Sequence, residues 1–110
     1  MTWTPVCDYA SLVPDRGAAA LIDGHQIALF RLLETGEVLA VDHRDPFSGA
    51  NVIARGIVGS RGDAVTVASP VYKQVFDLRT GTCLDDESRA LGVWKTRIVE
   101  GVVVLKVRVP

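Results

Sequence analysis

Two stretches decide the fold of this chain: VDHRDPFSGA at residues 41–50 and ASPVYKQVFDLRTG at residues 68–81. Each follows a short apolar run of the length that is typical of a β-strand, and each contains a proline. Proline has no backbone N–H to give to a strand ladder, so it favours a position where the strand has ended. The two stretches therefore predict two protruding loops, each leaving a β-strand.

Short strands separated by glycine-containing turns account for most of the remaining sequence. Asp23-Gly24 lies between two apolar runs, which predicts a β-hairpin, because both central residues of a type I′ turn need positive φ. No stretch shows sustained helical periodicity, so we predict an all-β fold, an antiparallel sandwich or small barrel, formed by one domain over residues 1–110. The predicted strands are 3–7 (at a sheet edge, because of Pro5), 18–23, 25–33, 38–42, 64–68, 94–100 and 102–109, whereas 8–17, 55–59 and 85–92 show no strand pattern.

The last predicted strand has the clearest alternation in the sequence. One face carries Val103, Leu105, Val107 and Val109, and the other carries Val102, Val104, Lys106 and Arg108. The second face begins apolar and ends charged. This change is expected where a strand leaves the core.

Composition excludes several classes of function. The net charge of −1 over 110 residues gives no electrostatic reason to expect nucleic acid or an anionic membrane as a partner. No apolar run approaches the length that spans a bilayer, and the N-terminus lacks the pattern of a secretory signal, so we expect a cytoplasmic protein. Cys7 and Cys83 are far apart in sequence and have no metal-ligand spacing, which favours two free thiols over a disulfide. Phosphate-loop, nucleophile-elbow and zinc-protease motifs are absent from the sequence.

The two loops resemble the paired cluster-binding loops of a Rieske iron–sulfur domain. In that fold two cysteines bind one iron of a [2Fe–2S] cluster and two histidines bind the other. Each loop of the family supplies one Cys and one His, as C-x-H and then C-x-x-H. In this sequence the resemblance aligns Asp45 and Phe47 with the first pair, and Ser69 and Tyr72 with the second. The resemblance implies a Rieske-type fold in which all four ligand positions have changed.

The chemistry of these four side chains opposes cluster binding. Iron in such a cluster takes soft thiolates and imidazoles. Asp45 offers a hard carboxylate, Ser69 a hydroxyl of very high pKa, and Phe47 no donor atom. Tyr72 can bind a ferric ion only as a phenolate, and His43 lies two positions before Asp45, outside the ligand positions. We therefore expect this chain to carry no cofactor and no metal of its own.

Over nearly its whole length the chain is similar to the small subunit of assimilatory NADH-dependent nitrite reductase. The shared features are the Asp-His-Arg-Asp-Pro-Phe-Ser-like first loop at residues 42–48 and the Ser-Pro-x-Tyr-Lys-Gln-like second loop at residues 69–74. The resemblance implies a large catalytic subunit as partner, carrying FAD, a [4Fe–4S] cluster and sirohaem, which reduces nitrite to ammonia with NAD(P)H. It also implies that this chain supports that oxidoreductase without being catalytic itself.

Residues at the loop tips are candidates for contact with such a partner. Phe47 and Tyr72 are either docking aromatics or fillers of the space that a cluster would occupy. Asp45 contacts a partner, caps a turn, or pairs with Arg44 or Lys73, and basic residues in the loops are either partner contacts or simply solvated. The candidate contact residues are Arg44, Asp45, Phe47, Tyr72, Lys73 and Gln74.

Structural or simply solvent-exposed roles are expected for the remaining polar and aromatic residues. The acidic run 85–87 is interpreted as a solvated face, His25 as a surface residue and His43 as a loop histidine with satisfied hydrogen bonds. Trp3 and Trp94 are expected in the core. Two other functions stay open at this point: a Rieske-type ferredoxin that carries electrons, and a stand-alone β binding module.

Overall fold

The structure is a computed structural model that describes residues 3–106. The prediction of an all-β, antiparallel fold is confirmed. Within residues 3–106, nine strands are joined by turns and by two short 3-10 turns at Tyr9–Ser11 and Ile53–Arg55. The strands are β1 Trp3–Asp8, β2 Gly17–Ile22, β3 His25–Arg31, β4 Val38–Asp42, β5 Ile57–Arg61, β6 Ala64–Ala68, β7 Val75–Asp77, β8 Val93–Val99 and β9 Val102–Lys106.

The strands form two antiparallel sheets. A six-stranded sheet has the order β1-β9-β8-β4-β3-β2, and a three-stranded sheet has the order β5-β6-β7. Pro5 lies in β1, which is an edge strand as predicted, and a bulge interrupts its pairing between Pro5 and Cys7. The end of the last predicted strand, with Val107, Arg108 and Val109, lies outside the described residues. No helix within residues 3–106 is long and apolar enough to span a lipid bilayer.

Tight turns connect the hairpins where the sequence predicts them. Asp23 and Gly24 both have positive φ, 49° and 81°, as a type I′ turn between β2 and β3 requires. Glu100 and Gly101, with φ of 48° and 79°, make the equivalent connection between β8 and β9. These turns set the register in which Ile22 pairs with His25 and Val99 pairs with Val102.

Two hydrophobic clusters lie on opposite faces of β3, which explains why this strand is apolar on both sides. Ala28 and Phe30 face the three-stranded sheet and belong to one cluster with Val67, Phe76 and Leu78. Ile27 and Leu29 point the other way, into a cluster with Trp94, Val103 and Leu105. The expectation of a core position is confirmed for Trp94. Trp3 is only half-buried, and the Arg97 guanidinium lies 4.4 Å from the centroid of its ring.

A surface ion pair ties the three-stranded sheet to the β3–β4 turn. Two nitrogens of the Arg79 guanidinium donate to the two carboxylate oxygens of Glu37 at 2.7 and 2.8 Å. This pairing lowers the pKa of Glu37 from its ordinary value of 4.5 to about 2. Because both side chains are about half exposed, the pair adds less than about 1 kcal/mol to stability.

Candidate functional site

The two predicted loops share one backbone geometry. In the first, the Asp45 N–H donates to the Ala50 carbonyl and the Gly49 N–H donates back to the Asp45 carbonyl, both at 2.8 Å. In the second, the Ser69 N–H donates to the Gln74 carbonyl at 2.9 Å and the Lys73 N–H donates to the Ser69 carbonyl at 3.1 Å. Asp45 and Ser69 therefore occupy equivalent positions: Ser69 directly follows β6, and Asp45 follows the isolated bridge between Arg44 and Asn51.

The loops are joined through these two equivalent residues. The Ser69 hydroxyl donates to Oδ2 of Asp45 at 2.5 Å, and both residues are fully buried. The other carboxylate oxygen, Oδ1, accepts from the backbone N–H groups of Phe47 at 2.8 Å and Ser48 at 3.4 Å, and the Ser69 oxygen accepts from Val71 N–H at 3.3 Å. We call this set of bonds around Asp45 and Ser69 the inter-loop clasp. It links the turn of one loop to the turn of the other.

The clasp also determines the ionisation of Asp45. Burial alone raises the pKa of this carboxyl. The hydrogen bonds from Ser69, Phe47 and Ser48 outweigh that effect, so the pKa of Asp45 lies below its ordinary value. Asp45 thus remains a carboxylate at neutral pH. The expectation that it caps a turn is confirmed, whereas its carboxylate faces Ser69 rather than Arg44 or Lys73.

His43 links the first loop to the 3-10 turn that follows it. Its Nδ1 accepts a hydrogen bond from the Ala54 N–H at 3.1 Å, which holds the 3-10 turn at Ile53–Arg55 against the loop. Burial, assisted by the charge of Arg55, lowers the pKa of His43 below its ordinary value. The ring is therefore neutral at pH 7. The prediction of a satisfied loop histidine is confirmed, as is the exposed position of His25.

The two aromatic residues of the loops have different environments. Phe47 packs on the core: its ring lies 6.1 Å from that of Phe76, and the Arg89 guanidinium lies 5.7 Å from the Phe47 ring centroid. Tyr72 is 60% exposed at the tip of the second loop, next to Val71 at 42%. The structure thus favours a packing role for Phe47 and leaves Tyr72 available to a partner.

The polar contact candidates also differ in exposure to solvent. Arg44 and Lys73 are exposed, Gln74 is half-buried, and Asp45 lies inside the clasp. The buried Oε1 atom of Gln74 has no hydrogen-bond partner within the described part of the chain. Of the six candidates, Arg44, Tyr72 and Lys73 thus present side chains at the surface.

Comparison with known proteins places this site in a family. A model of the Rieske-like [2Fe-2S] domain matches residues 2–106. The nitrite reductase (NADH) small subunit of Salmonella typhimurium is 36% identical over 104 residues, which cover 94% of this chain and 96% of that protein. The chain belongs to the family of nitrite reductase (NADH) small subunits. A crystal structure from Mycobacterium tuberculosis, described as an NADH-dependent nitrite reductase small subunit, superposes with a TM-score of 0.92 at 48% identity, covering 98% of this chain and 97% of that one.

A relative of the small-subunit family is also found inside a longer protein. The nitrite reductase [NAD(P)H] large subunit of Klebsiella oxytoca is 37% identical to this chain over 99 residues. The matched segment covers 90% of this chain but only 10% of that large subunit. In that protein a domain similar to the small subunit and the remainder of the large subunit are parts of one polypeptide.

The donor atoms of this small-subunit family member do not fit the [2Fe–2S] cluster that the domain family is named for. Asp45 and Ser69, which the sequence resemblance aligns with the cysteine ligands, have oxygens that are engaged with each other and with backbone N–H groups. Cys83 is buried in the core beside Phe76, and Cys7 lies on β1. Residues 3–106 contain no cluster of three or more His, Cys, Asp or Glu side chains that could hold a metal ion.

Three further residues support the loops of this small subunit and were not among the candidate contact residues. Asp42 accepts from the Trp94 indole and from the Gly92 N–H, both at 2.9 Å, which fixes the end of β4. Asp85 accepts from the Val75 N–H at 2.9 Å and pairs with Arg61 at 3.0 Å. The acidic run is exposed, as expected of a solvated face, and Asp85 in addition holds the start of β7 through the Val75 N–H. Arg89 donates to the Pro46 carbonyl at 2.7 Å.

Proposed function

We propose that this chain is the small subunit of an NAD(P)H-dependent nitrite reductase and that it binds the large catalytic subunit. The observation that carries this proposal is the pair of matches: nearly the full length of a nitrite reductase small subunit, and a segment within a large subunit. Two partners that are fused in one organism and separate in another commonly contact each other. The proposed contribution of the chain is support of the oxidoreductase that converts nitrite to ammonia.

The chain is proposed to provide a binding surface and no redox group. The FAD, [4Fe–4S] cluster and sirohaem expected for the holoenzyme are assigned to the large subunit. The inter-loop clasp supports this division, because hydrogen bonds already satisfy the oxygens of Asp45 and Ser69. A cytoplasmic location is part of the same proposal and agrees with the free thiols of Cys7 and Cys83.

Co-expression with the nitrite reductase large subunit of the same organism tests the proposal. With an affinity tag on the large subunit, we expect this chain to co-elute and nitrite-dependent NAD(P)H oxidation to be higher or longer-lived with both subunits than with the large subunit alone. The matched control is the same preparation without this chain. A folded large subunit that neither retains this chain nor responds to it would overturn the proposal.

A further inference from the structure

The tip formed by the two loops carries three exposed cations from three separate segments. Arg44 belongs to the first loop, Lys73 to the second, and Arg89 to the segment before β8. Arg89 is held against the first loop by its bond to the Pro46 carbonyl, and the Lys73 ammonium donates to the Pro70 carbonyl at 3.1 Å. With the exposed Tyr72, these three residues form what we call the basic tip.

Few carboxylates neutralise the basic tip. The carboxylate of Asp45 is buried in the inter-loop clasp, and that of Asp85 is paired with Arg61. Asp86 accepts hydrogen bonds from Ser88 and lies close enough to Arg89 for their charges to interact, and Glu87 beside it is exposed, so these two carboxylates offset part of the positive charge. Because the chain as a whole has a net charge of −1, this local excess of cations is not a general property of its surface.

The backbone at Lys73 gives a second reason to assign a role to its charge. Three other loops of this chain repeat the pattern in which residue i+4 donates back to the carbonyl of residue i, and all three have glycine at i+4: Gly36, Gly49 and Gly81, with φ between 76° and 79°. The second loop holds Lys73 there, at φ 64°. A left-handed conformation is unfavourable for a residue with a side chain, so lysine costs stability at a position where glycine fits better.

The clasp makes the basic tip a preformed surface. Asp45 and Ser69 hold the turns of both loops in one arrangement before any partner arrives. A surface that does not need to be ordered on binding loses less conformational entropy on association. Exposed tyrosine and arginine side chains are residue types that protein interfaces favour, with the aromatic ring as the buried anchor.

We infer that the basic tip docks onto an acidic surface of the nitrite reductase large subunit that has an apolar pocket for Tyr72. This inference rests on the proposed function and adds the contact face and the chemistry of the surface that receives it. Opposite charges across the interface also predict faster association at low ionic strength.

Titration of the purified large subunit with variants of this chain tests the inference. We expect Tyr72→Ala and Lys73→Glu each to raise Kd by about 10-fold or more, and wild-type binding to weaken when salt rises from about 0.05 M to about 0.5 M. Lys73→Gly is expected to raise Tm by about 2–4 °C while it weakens binding, a combination that a purely structural role for Lys73 does not produce. Lys73→Arg, which retains the charge, should bind like the wild type.

Matched controls lie away from the tip. Leu33→Ala removes an exposed apolar side chain from the β3–β4 turn, at the opposite end of β4, and Lys95→Glu reverses a charge on β8. Both should leave Kd within about 2-fold of the wild type. If the wild type binds and the tip variants bind equally well, the inference is wrong but the proposed function stands. If the wild type does not bind at any salt concentration, both are wrong.

Discussion

Replacement of Asp45 by alanine is expected to lower the free energy of unfolding by about 3–4 kcal/mol, because it leaves buried donors without an acceptor. The Ser69 hydroxyl and the backbone N–H groups of Phe47 and Ser48 all donate to this carboxylate. All three bonds would be lost together. Asp45 and Ser69 are both fully buried, so water cannot replace the lost acceptor. Urea denaturation followed by tryptophan fluorescence or circular dichroism measures the loss.

Two matched variants make the prediction specific to the inter-loop clasp. Asp45→Asn keeps an oxygen acceptor and the shape of the side chain, so a smaller loss of about 1–2 kcal/mol is expected. Asp63→Ala removes an exposed aspartate from the β5–β6 turn and should change stability by less than about 0.5 kcal/mol. An Asp45→Ala variant as stable as Asp63→Ala would show that the clasp does not hold the loops together.

Replacement of Phe76 by alanine is expected to lower the free energy of unfolding by about 3–5 kcal/mol. Phe76 is fully buried in β7 and belongs to the cluster that joins the three-stranded sheet to β3 and β4. Its ring also supports Phe47, so the cavity left behind would weaken the first loop together with the core. The loss is measured by the same denaturation experiment.

Phe47→Ala provides the comparison for this prediction. Because Phe47 is only partly buried, its removal should cost clearly less, about 1–3 kcal/mol. A packing role also predicts that Phe47→Ala affects stability more than it affects binding of the large subunit, the reverse of Tyr72→Ala. Equal losses for Phe76→Ala and Phe47→Ala would contradict the assignment of Phe76 to the centre of the core.

The sequence predicts the hairpins well but misses the edge strand β5. Asp23-Gly24 and Glu100-Gly101 require little more than local backbone chemistry, so their turns follow directly from residue type. Strand β5, Ile57–Arg61, was not predicted because four of its five residues are exposed and only Val58 packs on the core, which leaves no apolar alternation to detect. The register with β6 that defines this strand is a tertiary property.

The contact between the two loops is harder to predict, although the sequence carries one signal for the backbone geometry of the loops. Asp45 and Ser69 are 24 residues apart, and their contact depends on how the two sheets bring the loop ends together. The spacing of an aspartate followed four residues later by a glycine occurs in the first loop, at Asp45 and Gly49, and again at Asp77 and Gly81. That repeat indicates a shared loop geometry. The second loop, with Ser69 and Lys73, departs from it in both residues.

The most direct test of the central claim is metal analysis of the purified chain after anaerobic reconstitution with iron and sulfide. The claim is that the side-chain hydrogen bond between Asp45 and Ser69 holds the two loops together in place of a cluster. We expect iron at background level and no visible charge-transfer absorption. About two iron atoms per chain, with the absorption of a [2Fe–2S] centre, would contradict it.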